Sequence, residues 1–485
     1  MNDIRKLNPK LLWNYFYQIT QIPRPSKKEK LIAEFVVNFG REHKLETLVD
    51  AVGNVIIRKP ASKGMEDRKI VVLQTHLDMV PQKNSDKIHD FEKDPIETVI
   101  DGEWVKANGT TLGSDNGIGV AATLAVLASE DIQHGPLEAL FTIDEETGMT
   151  GAFGLKPGIL KGHILMNLDS EDEGELYVGC AGGIDVTATR NYKLEKPQGD
   201  MVAYRVNVKG LKGGHSGVDI SLGRANSNKI LSRFLMQAET DFGIRLSEIA
   251  GGDLRNAIPR ESHAIMMVPG AKAKEFEDFV KGYEKMYRAE FAETEPALSF
   301  LCERTAVPSD VMHKTDQYKI IRALFACPNG VQRMSQAMKG LVETSNNLAI
   351  VNCRDGKFEA ISLTRSSVDS AKEATAWKIA AVFHLIDSKV ILAGSYPGWK
   401  PNMSSPILNI MSGVYKNMFG NVPEIKAIHA GLECGLLGGV YPELDMISFG
   451  PTIRYPHSPD EKVNIESVGK FFDFLCETLK QVPAN

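Results

Sequence analysis

The sequence predicts an α/β catalytic domain, with a mixed sheet between helices, that carries an inserted α+β domain. Residues 1–184 alternate helical and strand patterns, residues 185–398 repeat a β-α-β rhythm twice, and residues 399–485 return to the α/β pattern. Strands that alternate with helices are typical of layered α/β domains. We therefore expect both ends of the chain to build one domain, with a middle domain of two tandem β-α-β sandwich units inserted into it.

The elements of the first domain are predicted in chain order. Apolar periodicity predicts a helix over residues 9–22 and, after the capping residue Ser26, a second helix to about Glu42. The segment ETLVDAVGNVIIRKP predicts a hairpin with VGN as its turn. The remaining elements are a strand over 69–77, the helix GIGVAATLAVLAS, and the strands LEALFTID and HILMNLD.

The middle domain and the tail follow the same alternation. The first round consists of MVAYRVNVKG, RANSNKILSRFLMQA, HAIMMVP and KAKEFEDFVKGYEKMYRAEFA, read as strand, helix, strand and helix. The second consists of ALSFLCER, DQYKIIRALFA, FEAISLTR, SAKEATAWKIAAVFHLI and KVILAG, beginning and ending with a strand. The tail contains the helix SPILNIMSGVYKNMF, the strand MISFG and a final helix from IESVGKFF onward.

Composition excludes several classes of protein. The chain has 485 residues, 43% hydrophobic and 24% charged, as in ordinary globular proteins. Its net charge is −6 and no block of Lys and Arg can track a phosphate backbone, so nucleic acid is not an expected partner. We expect no membrane span and no secretion signal, and hence a cytoplasmic protein. The six cysteines form no C-x-x-C pair, which excludes a disulfide framework and a cysteine-based zinc knuckle.

Acidic and histidine residues follow the apolar strands of the first domain. They are His76 and Asp78 after IVVLQ, Asp115 in LGSDNGIG, Glu145 and Glu146 after LFTID, and Asp169 after ILMNL. A single carboxylate after a strand is usually a turn former or a helix cap. Because the carboxyl ends of strands in an α/β sheet meet at one edge, four such sites in succession predict one functional cluster.

Clustered carboxylates repel one another unless a cation neutralises them. Imidazole and carboxylate ligands without thiolate favour zinc or manganese. Residues i and i+2 of a strand share a face, so Asp78 can accept a hydrogen bond from the imidazole nitrogen of His76 that faces away from the metal. The alternative is a solvated turn aspartate beside a core histidine.

The adjacent glutamates predict two roles. One can bind metal while its neighbour takes a proton from the attacking water. Two metals that share a carboxylate, ~3.5–4 Å apart, need about five ligands. The first domain offers four, so the missing ligand should be a second histidine on another element.

The ordered motifs T-H-x-D, G-S-D-N-G, D-E-E-x-G, N-L-D and Y-P-H-S-P resemble those of the di-zinc metallopeptidases that include aminoacylase, carnosinase and bacterial dipeptidases. The resemblance implies the zinc-peptidase fold and two Zn²⁺ per chain, with Mn²⁺ or Co²⁺ as substitutes. It also implies the site residues: His76, Asp115 and Asp169 for one zinc, Asp115, Glu146 and His457 for the other, Glu145 as general base and Asp78 as orienting carboxylate. A cis bond between Asp115 and Asn116 is a further implication.

Further motifs imply the substrate. KGLKGGHSG and DLRNAIPRE are similar to those of family members that hydrolyse Xaa-His dipeptides, including β-Ala-His. The resemblance assigns His215 to the oxyanion, Asn256 and Arg365 to the substrate carboxylate, and Glu433 to its amino group. His429 is left as structural. It also implies that the inserted domain is a lid that joins two chains in a homodimer.

Three alternatives remain open. The chain resembles relatives that hydrolyse tripeptides or N-acyl amino acids as well, because the metal site is common to all. A protein of another class, binding metal or peptide without catalysis, would use the same scaffold. Taken alone, His215 and His457 fit ordinary loop histidines, and Arg365 fits a surface charge.

Overall fold

Residues 3–485 are described by a computed structural model of the chain. Within these residues lie twelve α-helices: α1 Lys10–Thr20, α2 Lys30–Glu42, α3 Ser114–Ala128, α4 Glu145–Gly148, α5 Thr150–Gly154, α6 Ser227–Phe242, α7 Ala273–Glu290, α8 Lys314–Ala326, α9 Asp369–His384, α10 Pro406–Phe419, α11 Glu433–Val440 and α12 Ile465–Gln481. Three short 3-10 helices lie at Ile4–Lys6, Ile220–Leu222 and Gly270–Lys272.

The strands of the same residues are β1 Glu46–Val49, β2 Val55–Lys59, β3 Val71–His76, β4 Thr98–Asp101, β5 Trp104–Ala107, β6 Leu137–Thr142, β7 Ile164–Asn167, β8 Glu175–Cys180, β9 Gly182–Asn191, β10 Leu194–Glu195, β11 Met201–Lys209, β12 Gly214–His215, β13 Arg245–Gly251, β14 Ala257–Ile258, β15 Ser262–Pro269, β16 Ser299–Arg304, β17 Val311–Met312, β18 Gly330–Met334, β19 Val342–Arg354, β20 Lys357–Ser366, β21 Lys389–Tyr396, β22 Glu424–Ile428, β23 Asp445–Ser448, β24 Ile453–Arg454 and β25 Lys462–Asn464.

The chain divides into two compact units. The first contains the segment that ends at Gly179 together with Pro401–Ala427 and Leu432–Asn485. The second contains Cys180–Lys400 and the short segment Ile428–Gly431. The sequence pattern placed the domain boundaries after residues 184 and 398 and did not separate the short segment. That the second unit is a lid or a dimerisation domain stays a prediction.

The first unit is built on an eight-stranded mixed sheet, in the order β1-β2-β6-β3-β7-β23-β8-β22. The central strands β3, β6, β7 and β23 run parallel to one another. Strand β2 runs antiparallel to its neighbour β6, and β1 runs antiparallel to β2. Every residue of β3, β6 and β7 is buried, as expected for parallel strands with both faces covered. Thirteen residues of α3 are buried, so this helix is an internal element.

The second unit is built on a nine-stranded sheet, in the order β16-β11-β15-β13-β19-β20-β9-β21 with β18 beside β19. Strands of both predicted β-α-β rounds join in this one sheet. Phe234, Phe276 and Phe300 form part of an extensive apolar core with α6, α7 and α8. The mixed α/β fold class is confirmed. No helix of residues 3–485 combines the length and the apolar character that crossing a membrane needs.

Candidate metal centre

Three parallel strands of the first unit end at the same edge of the eight-stranded sheet. β3 ends at His76, which pairs in register with Thr142, the last residue of β6. Gln74 of β3 pairs with Asn167, the last residue of β7. Open α/β sheets bind their ligands at this edge. The residues that follow these strand ends are Glu145, Glu146 and Asp169.

Asp115 reaches the same edge from the first turn of α3. The loop before the helix turns at Gly113, whose φ of +69° lies in the left-handed region that favours glycine. Asn116 Nδ2 donates a hydrogen bond of 2.6 Å to the carbonyl oxygen of Leu168, which follows β7. The start of α3 is therefore fixed against the end of that strand. The peptide bond between Asp115 and Asn116 is cis, which confirms that prediction.

The Asp115 carboxylate lies between two histidines. Its Oδ1 is 3.1 Å from His76 Nε2, and its Oδ2 is 3.2 Å from His457 Nε2. Asp169 Oδ1 lies 3.3 Å from His76 Nε2, and Glu146 Oε2 lies 2.9 Å from His457 Nε2. We call His76, Asp115 and Asp169 the first triad and Asp115, Glu146 and His457 the second triad. In each, one side-chain ligand atom from every member lies within 4.8 Å of the others, so each triad can hold a metal ion.

The donor atoms of both triads fit divalent cations. Among residues 3–485, the buried atoms Glu146 Oε1 and Asp169 Oδ1 have no hydrogen-bond partner. Burial raises the pKa of Asp169 to about 7, against the opposing charge of His76. Hydrogen bonds to Asp115 and Glu146 raise the pKa of His457 to about 11. Buried carboxylate oxygens with unused lone pairs, facing imidazole nitrogens and without thiolate, are ligands that suit zinc or manganese.

Asp78 is buried behind His76. Its Oδ1 lies 3.3 Å from His76 Nδ1, but the direction of this contact falls outside hydrogen-bond geometry. The donors to its carboxylate are Ser26 Oγ and the backbone N–H groups of Glu145 and Glu146, at 2.8, 3.0 and 3.2 Å. Burial raises the pKa of Asp78, but His76 and the hydrogen bonds outweigh this and lower it to about 2. Asp78 therefore also fixes the start of α4, which the sequence did not indicate.

Glu145 begins α4, directly beside the triads. One of its carboxylate oxygens lies within 4.8 Å of a ligand atom of His76 and of one of Glu146. Burial raises the pKa of Glu145 well above its ordinary value, against the charge of His76. A carboxyl group with a raised pKa holds a proton more readily than an ordinary one, which suits a group that takes and returns a proton during a reaction.

Glu433 is buried at the start of α11, in the first unit. Its Oε2 accepts hydrogen bonds of 2.6 Å from Gln74 Nε2 and 2.8 Å from Thr142 Oγ1. Both donors lie on the strands that end at the triads. Its Oε1 has no hydrogen-bond partner within the described part of the chain. Glu433 is thus brought to the candidate site with one carboxylate oxygen unused.

His215, Asn256 and Arg365 lie together in the second unit. Arg365 Nη2 is 3.4 Å from His215 Nε2, and Arg365 Nε donates to Ser216 Oγ at 3.3 Å. The carbonyl oxygen of Asn256 accepts the N–H of Ser216 at 2.8 Å. His215 Nδ1 accepts the N–H of Gly217 at 3.2 Å. Arg365 is buried and is therefore not the surface charge that the sequence left as an alternative.

His429 also belongs to the second unit. It is buried, and its Nε2 shares a hydrogen bond of 2.8 Å with Ser345 Oγ. Burial lowers the pKa of His429 to about 3, and the charges of Arg365 and His215 act in the same direction.

The sequence did not indicate two buried charged residues of the first unit, Arg24 and Glu461, which contact the loop before Asp115. The available signal for Glu461 was its place in the segment RYPHSPDE with His457, whereas Arg24 lies in none of the quoted motifs. Neither residue follows an apolar strand, so the pattern that found the other acids did not include them.

The chain is similar over its full length to proteins named as dipeptidases. The cytosol non-specific dipeptidase of Escherichia coli K12 is 48% identical over 485 residues, which is 100% of both chains. The crystal structure of an aminoacylhistidine dipeptidase from Vibrio alginolyticus matches with a TM-score of 0.96 at 47% identity, covering 99% of this chain and 98% of that chain. An aminopeptidase PepT from Bacillus cereus, at 15% identity, has a TM-score of 0.58 over 98% of this chain and 99% of its own, a likeness of fold alone.

The sequence profile described as Peptidase family M20/M25/M40 matches residues 72–481. This range includes both triads, Glu145 and the whole second unit. The chain belongs to peptidase family M20/M25/M40.

Proposed function

We propose that the protein is a metal-dependent dipeptidase. The observation that carries this proposal is the Asp115 carboxylate, which lies between His76 and His457 with Glu145 close by. A carboxylate shared by two sets of ligands is the arrangement of a two-metal hydrolytic site. The relatives that match the full chain are named as dipeptidases, which supports the same reaction.

The two triads are the proposed metal ligands. His76, Asp115 and Asp169 would hold one ion, and Asp115, Glu146 and His457 the other, with Zn²⁺ as the first choice and Mn²⁺ or Co²⁺ as substitutes. Bound metal would polarise the scissile carbonyl and lower the pKa of the attacking water. The absence of thiolates and the presence of two imidazoles favour these ions over calcium.

Glu145 is the proposed general base. It takes a proton from the attacking water and gives it to the departing amine, so that one carboxyl group serves both halves of the reaction. Its backbone N–H donates to Asp78, which holds the start of α4 in place. Asp78 stays ionised and faces His76 from behind, so it orients the imidazole without occupying the metal side of the ring.

The proposed substrates are dipeptides with a free amino group, with Xaa-His peptides such as β-Ala-His among them. One relative is named for aminoacylhistidine and the other as non-specific, so we propose a range of C-terminal residues that includes histidine. The unused oxygen of Glu433 suits a substrate ammonium group, which favours dipeptides over N-acyl amino acids. His215 is proposed to stabilise the oxyanion, and Asn256 and Arg365 to bind the substrate carboxylate.

We also propose a cytoplasmic homodimer. The cytoplasmic location is supported by the name of the Escherichia coli relative. The second unit exposes 62% of Trp377 on α9 and 47% of Ile391 on β21, the end strand of its sheet. Leu385, just after α9, is 82% exposed. An open strand edge beside exposed apolar side chains suits a second copy of the chain.

A substrate panel tests the proposed reaction. The purified chain would be assayed with dipeptides including β-Ala-His, with tripeptides and with N-acetyl amino acids, in zinc, manganese or chelator. We expect hydrolysis of dipeptides above the other two classes, and loss of activity with chelator. Faster cleavage of N-acetyl amino acids or tripeptides would refute the substrate class, and activity indifferent to chelator would refute the metal site.

A further inference from the structure

The loop before Asp115 is held by a buried carboxylate. Glu461 Oε2 accepts the N–H groups of Leu112 and Gly113 at 2.8 and 2.9 Å. Its Oε1 accepts the N–H and the hydroxyl of Ser114 at 2.7 and 2.5 Å, and the N–H of Asp115 at 3.3 Å. One side chain thus satisfies every backbone N–H from Leu112 to Asp115, which fixes the path of this segment.

A buried cation holds the same loop from its carbonyl side. Arg24 Nη2 donates to the carbonyl oxygen of Gly113 at 2.5 Å, and Nη1 donates to those of Leu77 and Asp78 at 2.9 and 2.7 Å. Leu77 and Asp78 follow β3 directly after His76. Arg24 therefore connects the end of β3 to the Asp115 loop, a task for which its planar fork of donors is suited.

The two side chains meet at the backbone of Gly113, which gives its N–H to Glu461 and its carbonyl to Arg24. A Cβ atom at this position would lie 2.6 Å from Arg24 Nη2, so the close approach requires glycine. Both charged side chains are 2% exposed. Burial lowers the pKa of Arg24, and Glu461 is the strongest of the carboxylates that oppose this.

Stability alone is a weak reason for such a pair. Even where buried charges form a direct ion pair, apolar side chains of similar volume often replace them without loss, because desolvation offsets the attraction between the charges. What the two side chains provide is a fixed spacing between the backbone segments that carry the members of the triads. Glu461 lies four residues after His457 and holds the backbone up to Asp115, so it links two members of the second triad. Arg24 links the segment after His76 to the segment before Asp115, and so two members of the first triad.

We propose that Arg24 and Glu461 are positioning residues that set the spacing of the two triads around Asp115. This inference rests on the proposed metal site, and it adds that metal affinity depends on two side chains that do not touch the metal. Partners that orient metal ligands typically contribute about 10–100-fold in metal affinity.

Glu461→Gln in the full chain is the first test. The amide keeps the size of the side chain but presents its NH₂ group to backbone donors, so two or more of the contacts are lost. We expect the zinc affinity of the second triad to fall at least tenfold, as measured by competition with a chromophoric chelator, whereas the other site changes less. This readout needs no catalytic turnover.

Glu138→Gln is the matched control. Glu138 is a buried carboxylate that accepts the N–H groups of Lys161 and Gly162 and a hydrogen bond from Arg58. It lies near the start of β6, at the opposite end of the strand from the triads. We expect it to lower the melting temperature to a similar degree and to leave zinc affinity unchanged.

Arg24→Lys is the second test of the positioning role, and it serves if the Glu461→Gln chain does not fold. Lysine keeps the charge but cannot reach both the Leu77 and the Gly113 sides with a planar fork, so we expect zinc affinity to fall at both sites. If either folded variant has wild-type zinc affinity and only a lower melting temperature, this inference is overturned but the proposed function is not. A wild-type chain that binds none of zinc, manganese and cobalt would overturn the proposed function and this inference together.

Discussion

His457 Nε2 lies 3.2 Å from Asp115 Oδ2, although 342 residues separate them in the chain. The first unit is completed only when the chain returns from the second unit at Pro401. Residue 457 has a φ of +60°, a left-handed conformation that is unusual for a residue other than glycine and that is typical of functional sites. The second triad thus depends on the last part of the sequence.

Glu145→Gln should retain both metal ions and lose turnover. Glu145 belongs to neither triad, and a general base contributes about 10²–10⁴-fold to the rate. Zinc content by elemental analysis and dipeptide hydrolysis would be measured together. The neighbouring variant Glu146→Gln is the control, because it should lose metal from the second triad. Turnover near wild type in Glu145→Gln would remove Glu145 from the mechanism.

His457→Ala should lose about one metal equivalent per chain. His457 Nε2 faces both Asp115 and Glu146, so its removal leaves the second triad with carboxylates alone. His163→Ala is the control, since His163 is an exposed residue that precedes β7 at the end away from the triads. Equal metal content in the two variants would exclude His457 as a ligand.

His429 should make the protein less stable in mild acid. Its pKa in the folded chain is about 3, against 6.5 as the ordinary value, so folding favours the neutral imidazole. This contribution is complete above about pH 6.5 and is lost as the pH falls toward the folded pKa. From about pH 6.5 to 5, the free energy of unfolding should fall by about 2 kcal/mol more in wild type than in His429→Gln.

Urea unfolding of both proteins at the two pH values measures this difference. The groups that face His429 are Ser345, Arg365, His215 and the backbone of Val342, and they are the same in both proteins. The carboxylates and the other histidines are present in both proteins, so their contributions to the change in unfolding free energy cancel in the difference. Parallel loss of stability in wild type and variant would show that His429 does not carry the effect.

Trp377→Asp should convert a dimer to monomers if α9 and β21 form the proposed interface. A charge in place of an exposed indole disfavours burial of this surface against a second copy. Leu301→Asp is the control, because Leu301 is 48% exposed on β16, the opposite edge of the same sheet. Sedimentation velocity would distinguish the two variants. A Trp377→Asp chain that sediments as wild type does would place any interface elsewhere.

The central strands β3, β6 and β7 of the first unit were predictable because most of their residues are apolar and all are buried. VVLQTH and LEALFT end in polar residues at the sheet edge, and this is the signal that located His76 and Glu145. The ligand count predicted a second histidine on another element, whereas its identity as His457 and the cis bond came from the resemblance. The hairpin of β4 and β5 was not predicted, because ETVIDGEWVKA mixes charged and apolar residues without a clear alternation.

The second unit was less predictable for a physical reason. β19 is 13 residues long but carries the polar run TSNN, which is typical of a loop. Asn346 and Asn347 are fully buried, and hydrogen bonds to the carbonyl oxygens of Pro328 and Ala257 satisfy their amides. Such long-range partners leave no local pattern. The same holds for Arg24 and Glu461, whose contacts are to backbone atoms far away in the sequence.

The most direct test of the central claim is anomalous scattering from crystals of the zinc-loaded protein, collected on both sides of the zinc edge. We expect two zinc peaks, one in each triad, with the Asp115 carboxylate between them. A single peak that excludes either His76 or His457, or zinc bound away from Asp115, would contradict that claim.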